Sequence, residues 1–166
     1  VEEIARKAGR DLAILNNVLV DGFGWIRRAS PETGHLQAEW PAHRTFALEH
    51  WEADIAYLAE HVLEHSEVTS LEQAISRYDS WLAGRWYDLG HFHMRDGEFL
   101  PFHLLPALVA GYRELAPLPS TYEQHIRFTS LLTNVRALVR SLQKRPPNRF
   151  TEHQLKMIRE DLVNLL

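Results

Sequence analysis

Apolar residues recur at helical spacing along most of this chain. Intervals of three and four residues predict a first helix over residues 3–20, through Ile4, Ala8, Leu12, Leu15 and Leu19. The same spacing predicts further helices over 41–65, 70–84, 101–115 and 120–143, and a short last helix that Thr151 and Gln154 cap. No period-two stretch is long enough to predict a strand, and the segments after residues 20 and 84 have the glycines of loops. The pattern therefore predicts an all-α fold.

Two predicted helices have long apolar faces, which we expect to be buried in a core. In helix 41–65 the face consists of Trp51, Ile55, Leu58 and Val62; in helix 120–143 it consists of Phe128, Leu131, Leu132, Val135, Leu138, Val139 and Leu142. We predict an antiparallel four-helix bundle (41–65, 70–84, 101–115, 120–143) with an extra helix at each end. The predicted domains are 1–40, an N-terminal helix and connecting loop; 41–145, the bundle; and 146–166, a C-terminal helix or a linker to a further domain.

The segment from Trp81 to Gly90 concentrates unusual residues. Gly84 can adopt the left-handed conformation that ends a helix, and Trp81 and Trp86 place large apolar rings on either side of it. We expect a buried bend that joins two helices. Arg85, between Gly84 and Trp86, fits a structural ion pair better than a ligand contact.

Three short segments, in this order and spacing, resemble a known family. They are Trp51-Glu-Ala-Asp-Ile55, Gly84-Arg85-Trp86 and Leu100-Pro101-Phe102, and the resemblance covers residues 44–143. The Gly-x-Trp element resembles that of chemoreceptor zinc-binding (CZB) domains. The chain is more similar to the zinc-free, CZB-like middle domain of globin-coupled diguanylate cyclases.

The resemblance implies a four-helix bundle and a function. The implied function is that of a non-catalytic regulatory module, which transmits a signal within a bacterial protein of cyclic di-GMP signalling. A covalently linked GGDEF or EAL output domain would lie outside this segment. Because the chain opens on Val1, we expect it to be a fragment of a longer protein.

The same resemblance argues against a zinc site. The family uses three histidines and one cysteine, and the corresponding positions here hold Leu48, Trp81, Ala110 and Glu114. Only Glu114 of these can ligate a metal at all. We therefore predict no metal and no cofactor.

A different histidine set keeps a metal sensor open as an alternative. His61-Val-Leu-Glu-His65 matches H-x-x-E-H, and on one helix His61 and His65 would lie one turn apart on the same face. This pattern also suggests a zinc-dependent hydrolase, but no sheet is predicted to support one. A second cluster, His91, His93 and His103, is interpreted as solvated loop residues.

Composition excludes several other functions. The net charge of −4 argues against nucleic acid as a partner, and no apolar run is long enough to cross a membrane. The absence of cysteine fits a cytoplasmic protein. No nucleophile–base pair or phosphate-binding glycine loop stands out, so we predict no catalytic residues. The acidic residues Asp79, Asp88, Asp96 and Glu98 are interpreted as solvated charge.

The apolar stripe of helix 3–20 leads to a prediction about assembly. The predicted bundle is complete without this helix, so its stripe has to pack along the same chain or against a second copy. The glycine-containing, loop-like segment 21–40 would let the helix reach a second copy of the chain. We therefore predict a homodimer.

Overall fold

The computed structural model describes residues 1–27, 36–81, 86–98 and 102–166, and this part of the chain is mostly helical, as predicted. Its helices are α1 (Glu2–Leu15), α2 (His43–Leu48), α3 (Trp51–His61), α4 (His65–Tyr78), α5 (Tyr87–Arg95), α6 (Leu105–Arg113), α7 (Tyr122–Lys144) and α8 (Arg149–Leu165). A 3-10 turn, Asp79–Trp81, follows α4, and two strands, β1 (Phe23–Arg27) and β2 (Gln37–Trp40), lie between α1 and α2. The antiparallel four-helix arrangement stays a prediction.

The two strands correct the prediction of a loop between residues 21 and 40. They pair in antiparallel fashion, with Phe23 opposite Trp40. Gly22 and Gly24 have positive φ, and the Trp40 ring lies so close to Gly24 that a side chain there would overlap it. The glycines that indicated a loop in the sequence therefore belong to a short hairpin. Apolar and polar residues do alternate over Leu36–Trp40, but the run is too short to establish a strand by itself.

Helix α5 corrects a second predicted loop. Gly90 lies inside it and packs against Thr129 of α7, where a Cβ would come within 2.6 Å of the threonine Cβ. This glycine therefore permits a close helix contact and does not mark a turn. The helix ends at Arg95, and Gly97 follows with a φ of +80°.

Several predicted helix limits are wrong because other residues cap the ends. Helix 41–65 is divided into α2 and α3, and α4 begins at His65, where Glu64 and Glu67 form the capping box. The predicted start at Ser70 is therefore too late. At α8 the N-cap is Asn148, with Thr151 as its capping partner three residues on.

One hydrophobic core is shared by α3, α4, α7 and α8. The predicted apolar faces of α3 and α7 are confirmed, since their members are buried in this core or packed against it. Helix α8 contributes Ile158, Leu162 and Leu165 to it. The buried residues of α6, which lies in the predicted helix 101–115, belong to another cluster.

A second core joins α1, α5 and α6 to the first turns of α7. Helix α1 buries Ala5, Gly9 and Ala13, and a Cβ on Gly9 would overlap the backbone of α6. Gly111 of α6 has the same relation to α1. Two helices that meet at glycines can approach closely, which explains how such small residues hold α1 in place.

Candidate functional site

A cleft of about 960 Å³ opens between the hairpin with α2 on one side and α5, α7 and the start of α8 on the other. Its volume lies at the upper end of the range for small-molecule sites. Helix α7 forms the floor over several turns, from Thr129 to Lys144. Because α7 also belongs to both cores, this floor is anchored in the rest of the structure.

The lining of the cleft is strongly basic. Six cationic side chains line it, against the carboxylates of Glu49 and Asp54: Arg95, Arg136, Arg140, Lys144, Arg145 and Arg149. The whole chain has a net charge of −4, so this excess of positive charge is local. It follows from the four-residue spacing of three of these side chains, which places them on one face of α7.

Part of this charge is neutralised within the cleft wall. Arg136 donates to Asp54 at 2.8 Å, and Arg95 pairs with Glu98 at 3.0 Å while its guanidinium lies over the Phe150 ring. Glu49 lies 3.4 Å from His50. Asp54 is therefore engaged by Arg136, whereas Glu49 lies at an exposed position of the lining.

The remaining cations are available to a ligand. Arg140, Lys144, Arg145 and Arg149 are exposed, and none forms an ion pair with a carboxylate in the described part of the chain. They lie at the end of α7, in the turn Arg145–Asn148 and at the start of α8. This group of four, which we call the basic end, can bind an anion without first breaking a salt bridge with any described carboxylate.

An aromatic cluster forms another part of the wall. Phe23 of β1 lies 4.5 Å from His43 and 5.1 Å from Phe46 between ring centroids, and Tyr87 of α5 meets Phe46 edge-on at 5.6 Å. Trp40 packs on Phe46 from the hairpin side. These contacts fix the hairpin and α2 against α5, which keeps this wall of the cleft in place.

His43 is the polar member of that cluster. Only 6% of it is exposed, and its Nδ1 is buried without a hydrogen-bond partner among the described residues. Burial lowers the pKa of His43 to about 4, so the ring is neutral at pH 7. Burial also lowers the pKa of His91 and raises that of Tyr87. Neither His43 nor His91 therefore adds positive charge to the cleft at pH 7.

Trp25 stands apart from the packed rings. It lies on β1, lines the cleft and is 79% exposed. Tryptophan is usually buried or engaged at an interface, because its large apolar surface is costly to hydrate. An exposed ring at a cleft is therefore a candidate ligand contact.

The hydroxyl groups on the floor of the cleft are engaged by the backbone. Thr133 donates to the carbonyl oxygen of Thr129 and Ser141 to that of Ala137, each at 2.8 Å. Neither hydroxyl is hydrogen-bonded to a histidine among the described residues.

The sequence-predicted structural residues lie in different places. Trp51 packs against the first core, and Trp86 packs against the second and stacks on His125 at 4.7 Å between ring centroids. Trp81 ends the 3-10 turn, and its side chain is outside the described set. Gly84, Arg85 and Pro101 lie outside the described residues.

The structure separates the two histidines of the H-x-x-E-H segment. His61 is the last residue of α3 and His65 the first of α4, so the premise of one shared helix is wrong. The Nδ1 of His61 lies 2.8 Å from the Tyr57 carbonyl oxygen, and its ring stacks on that of Tyr57. The interruption at Val62–Glu64 thus removes the geometry that suggested a metal pair.

The other candidate ligands are dispersed as well. His91 lines the cleft, His93 lies 3.1 Å from Asp161, and His103 lies 3.5 Å from Asp96. Glu114 pairs with Arg6 and Arg10 of α1, and Leu48 packs against the first core. Among the described side chains no group of three or more potential metal ligands converges. The absence of bound metal stays a prediction.

The interpretation of the acidic residues as solvated charge is wrong for Asp96 and Glu98, whereas Asp79 and Asp88 keep exposed side chains. Asp96 accepts from the backbone N–H groups of Leu104 and Leu105, at 2.7 and 3.1 Å, and so caps α6. The Glu98 side chain is buried beside Arg95. These carboxylates fix the entry to α6 and one side of the cleft.

Sequence reasoning missed the cleft, although one pattern pointed to it. Arg136, Arg140 and Lys144 recur every fourth residue, and Arg145 and Arg149 continue the series across the Pro146-Pro147 turn. Such a series predicts a basic face at the end of a helix. The aromatic wall had no comparable pattern, because its members come from β1, β2, α2 and α5.

Comparisons with protein-family models, curated proteins and solved structures found no match to this chain. Among the helices in the described ranges, none has the length and apolar character needed to cross a membrane.

Proposed function

We propose that this chain is a non-catalytic regulatory module that binds a small anionic molecule in the basic cleft. One observation carries the proposal: in a chain of net charge −4, six cations against two carboxylates line a single cleft, and four of the six have no described carboxylate partner. A low-dielectric wall beside such a group of charges strengthens its attraction for anions. The proposal places the module in the cytoplasm of a bacterium.

The position of the basic end suggests how binding is transmitted. Arg140 and Lys144 lie on α7, Arg149 opens α8, and Arg145 lies in the turn between the two helices. An anion held by all four draws the two helix ends together. In our proposal this shift passes along α8 to a linked output domain of the GGDEF or EAL type, by way of the antiparallel helix packing expected for the bundle.

The remaining parts of the proposal follow the resemblance to CZB-like middle domains. They include a role in cyclic di-GMP signalling and assembly as a homodimer. The metal-sensor and hydrolase alternatives gain no support from the separated positions of His61 and His65. No observation on the described residues favours them over anion binding.

Isothermal titration with inorganic pyrophosphate tests the proposal. This probe has the charge of the proposed ligand and no other recognition group. We expect one site per chain and a loss of affinity of at least about tenfold when Arg140→Ala and Lys144→Ala are combined, since each charge-assisted contact contributes about 1.5–3 kcal/mol.

A matched variant controls for the change in net charge. Lys7→Ala combined with Lys156→Ala removes two exposed cations from α1 and α8, away from the cleft, and should leave the affinity unchanged. If pyrophosphate does not bind, or if both double variants lose affinity equally, the cleft is not an anion site and the proposal fails.

A further inference from the structure

We propose that the ligand is a nucleotide, whose base stacks on Trp25 while its phosphates occupy the basic end. This inference rests on the proposed function and adds the chemical class of the ligand. Two features of the same cleft lead to it: an exposed indole ring and a group of cations with no described carboxylate partner. A ligand that satisfies both must combine a planar ring with several negative charges.

Trp25 supplies the stacking surface. It lies on a hairpin that is fixed to α2 and α5 by the contacts of Phe23, so its position does not depend on burial of its own ring. A planar heterocycle laid on this indole would cover apolar surface that is now in water. Stacking of a base on an aromatic side chain favours binding and tolerates any base, because every base has a flat π face.

The basic end supplies the phosphate contacts. Arginine matches two phosphate oxygens with two parallel N–H donors, while lysine acts as a compact charge. Arg140 and Arg149 provide two such forks, with Lys144 in the same lining. A single phosphate leaves part of this group unpaired, so two or more phosphates fit it better. The cleft volume of about 960 Å³ accommodates a nucleotide of this size.

Calorimetry with three probes tests the inference: ADP, inorganic pyrophosphate and adenosine. We expect ADP to bind at least about tenfold more tightly than pyrophosphate or adenosine, because only ADP uses both parts of the cleft. Trp25→Ala should weaken ADP by about tenfold and leave pyrophosphate unchanged. Leu36→Ala, which truncates another exposed apolar side chain, should change neither affinity.

The possible failures are distinguishable. Equal affinities for ADP and pyrophosphate, or an unchanged ADP affinity in Trp25→Ala, would overturn the nucleotide inference and leave the anion-binding proposal standing. No binding of ADP or pyrophosphate would refute both. Circular dichroism checks that Trp25→Ala folds; a folded variant that loses pyrophosphate as well would overturn the division of the cleft into two parts.

Discussion

His43 illustrates how the surroundings of a residue, more than its type, decide its chemistry. The sequence contains ten histidines, and those that drew attention as metal ligands, His61 and His65, are separated by a helix break. His43 was not a candidate ligand in the sequence analysis, yet it is buried among Phe23, Phe46 and Tyr87 and its pKa is lowered to about 4. A histidine that stays neutral in the folded state makes stability depend on pH.

We predict that stability falls as the pH drops from 6.5 towards 4. In this window the unfolded chain protonates His43, with an ordinary pKa of 6.5, while the folded chain does not. The unfolded state therefore binds more protons, and the free energy of unfolding decreases by up to about 3 kcal/mol. The lowered pKa of His91 acts in the same direction.

Urea denaturation at pH 7 and pH 4.5 measures this effect, with His43→Phe as the comparison. The phenylalanine keeps the aromatic packing and removes the titrating group, so the variant should lose less stability between the two pH values than the parent. Equal losses in the two proteins would show that His43 does not titrate abnormally.

At the scale of elements, the contact between α7 and α8 combines apolar packing with buried polar side chains. Asn134 of α7 and Gln154 of α8 are almost completely buried, and their side-chain amide atoms have no hydrogen-bond partner among the described residues. Asp161 of α8, also fully buried, is held by Arg127 at 3.2 Å. Buried polar atoms without partners reduce stability, so this helix pair is held less firmly than an apolar one.

We predict that Gln154→Met stabilises the protein by about 1–2 kcal/mol. Methionine has nearly the shape of glutamine and removes two buried polar groups that lack described partners. Thermal or urea unfolding measures the change, and Gln143→Met, at an exposed position of α7, should be close to neutral. Destabilisation by Gln154→Met would mean that the amide has partners, such as buried water, and that the contact is fully satisfied.

The sequence predicted the elements unevenly, for physical reasons. The face of α7 was predicted residue by residue, because 23 residues give several repeats of the helical period. Helix α5 was missed, since Gly90 permits contact with Thr129 in the structure but indicates a turn in the sequence. The hairpin was missed because its pairing joins residues far apart along the chain, such as Phe23 and Trp40.

At the scale of the whole molecule, α1 packs on its own chain mainly through small residues outside the predicted stripe. Ala5, Gly9 and Ala13 are buried, and of the stripe Leu12 packs against the second core, while Ile4, Leu15 and Leu19 remain exposed. The sequence could show an apolar stripe but not which face would be buried, since the glycine-to-backbone fit depends on α6. An exposed apolar stripe of this kind is typical of a surface that packs against a partner, so the homodimer stays a prediction.

Sedimentation velocity at tens of micromolar tests the homodimer. We expect the parent chain to sediment as a dimer and Leu15→Glu, in the exposed stripe, as a monomer. Val163→Glu places the same charge at an exposed apolar position of α8 and should remain dimeric. A parent chain that is monomeric at this concentration would contradict the prediction, because a weak interface should already be populated there.

The cleft could not be predicted from the sequence, because its wall forms only when separate segments pack together. Its basic end follows a pattern along α7 and α8, but the aromatic wall is assembled from four elements, three of which (β1, β2 and α5) were not predicted. Among the described residues that carried the family resemblance, Asp54 lines the cleft, whereas Trp51 and Trp86 pack against the two cores. The candidate site is therefore a property of the tertiary fold that no single segment reveals.

The location of a bound anion tests the central claim most directly. Titration of isotopically labelled protein with pyrophosphate, followed by amide and indole NMR signals, maps the site residue by residue. The account predicts that the largest shifts fall between Arg140 and Phe150, with smaller ones at the aromatic wall. Shifts centred on the α1–α6 contact or around His61 and His65, or no shifts at all, would contradict it.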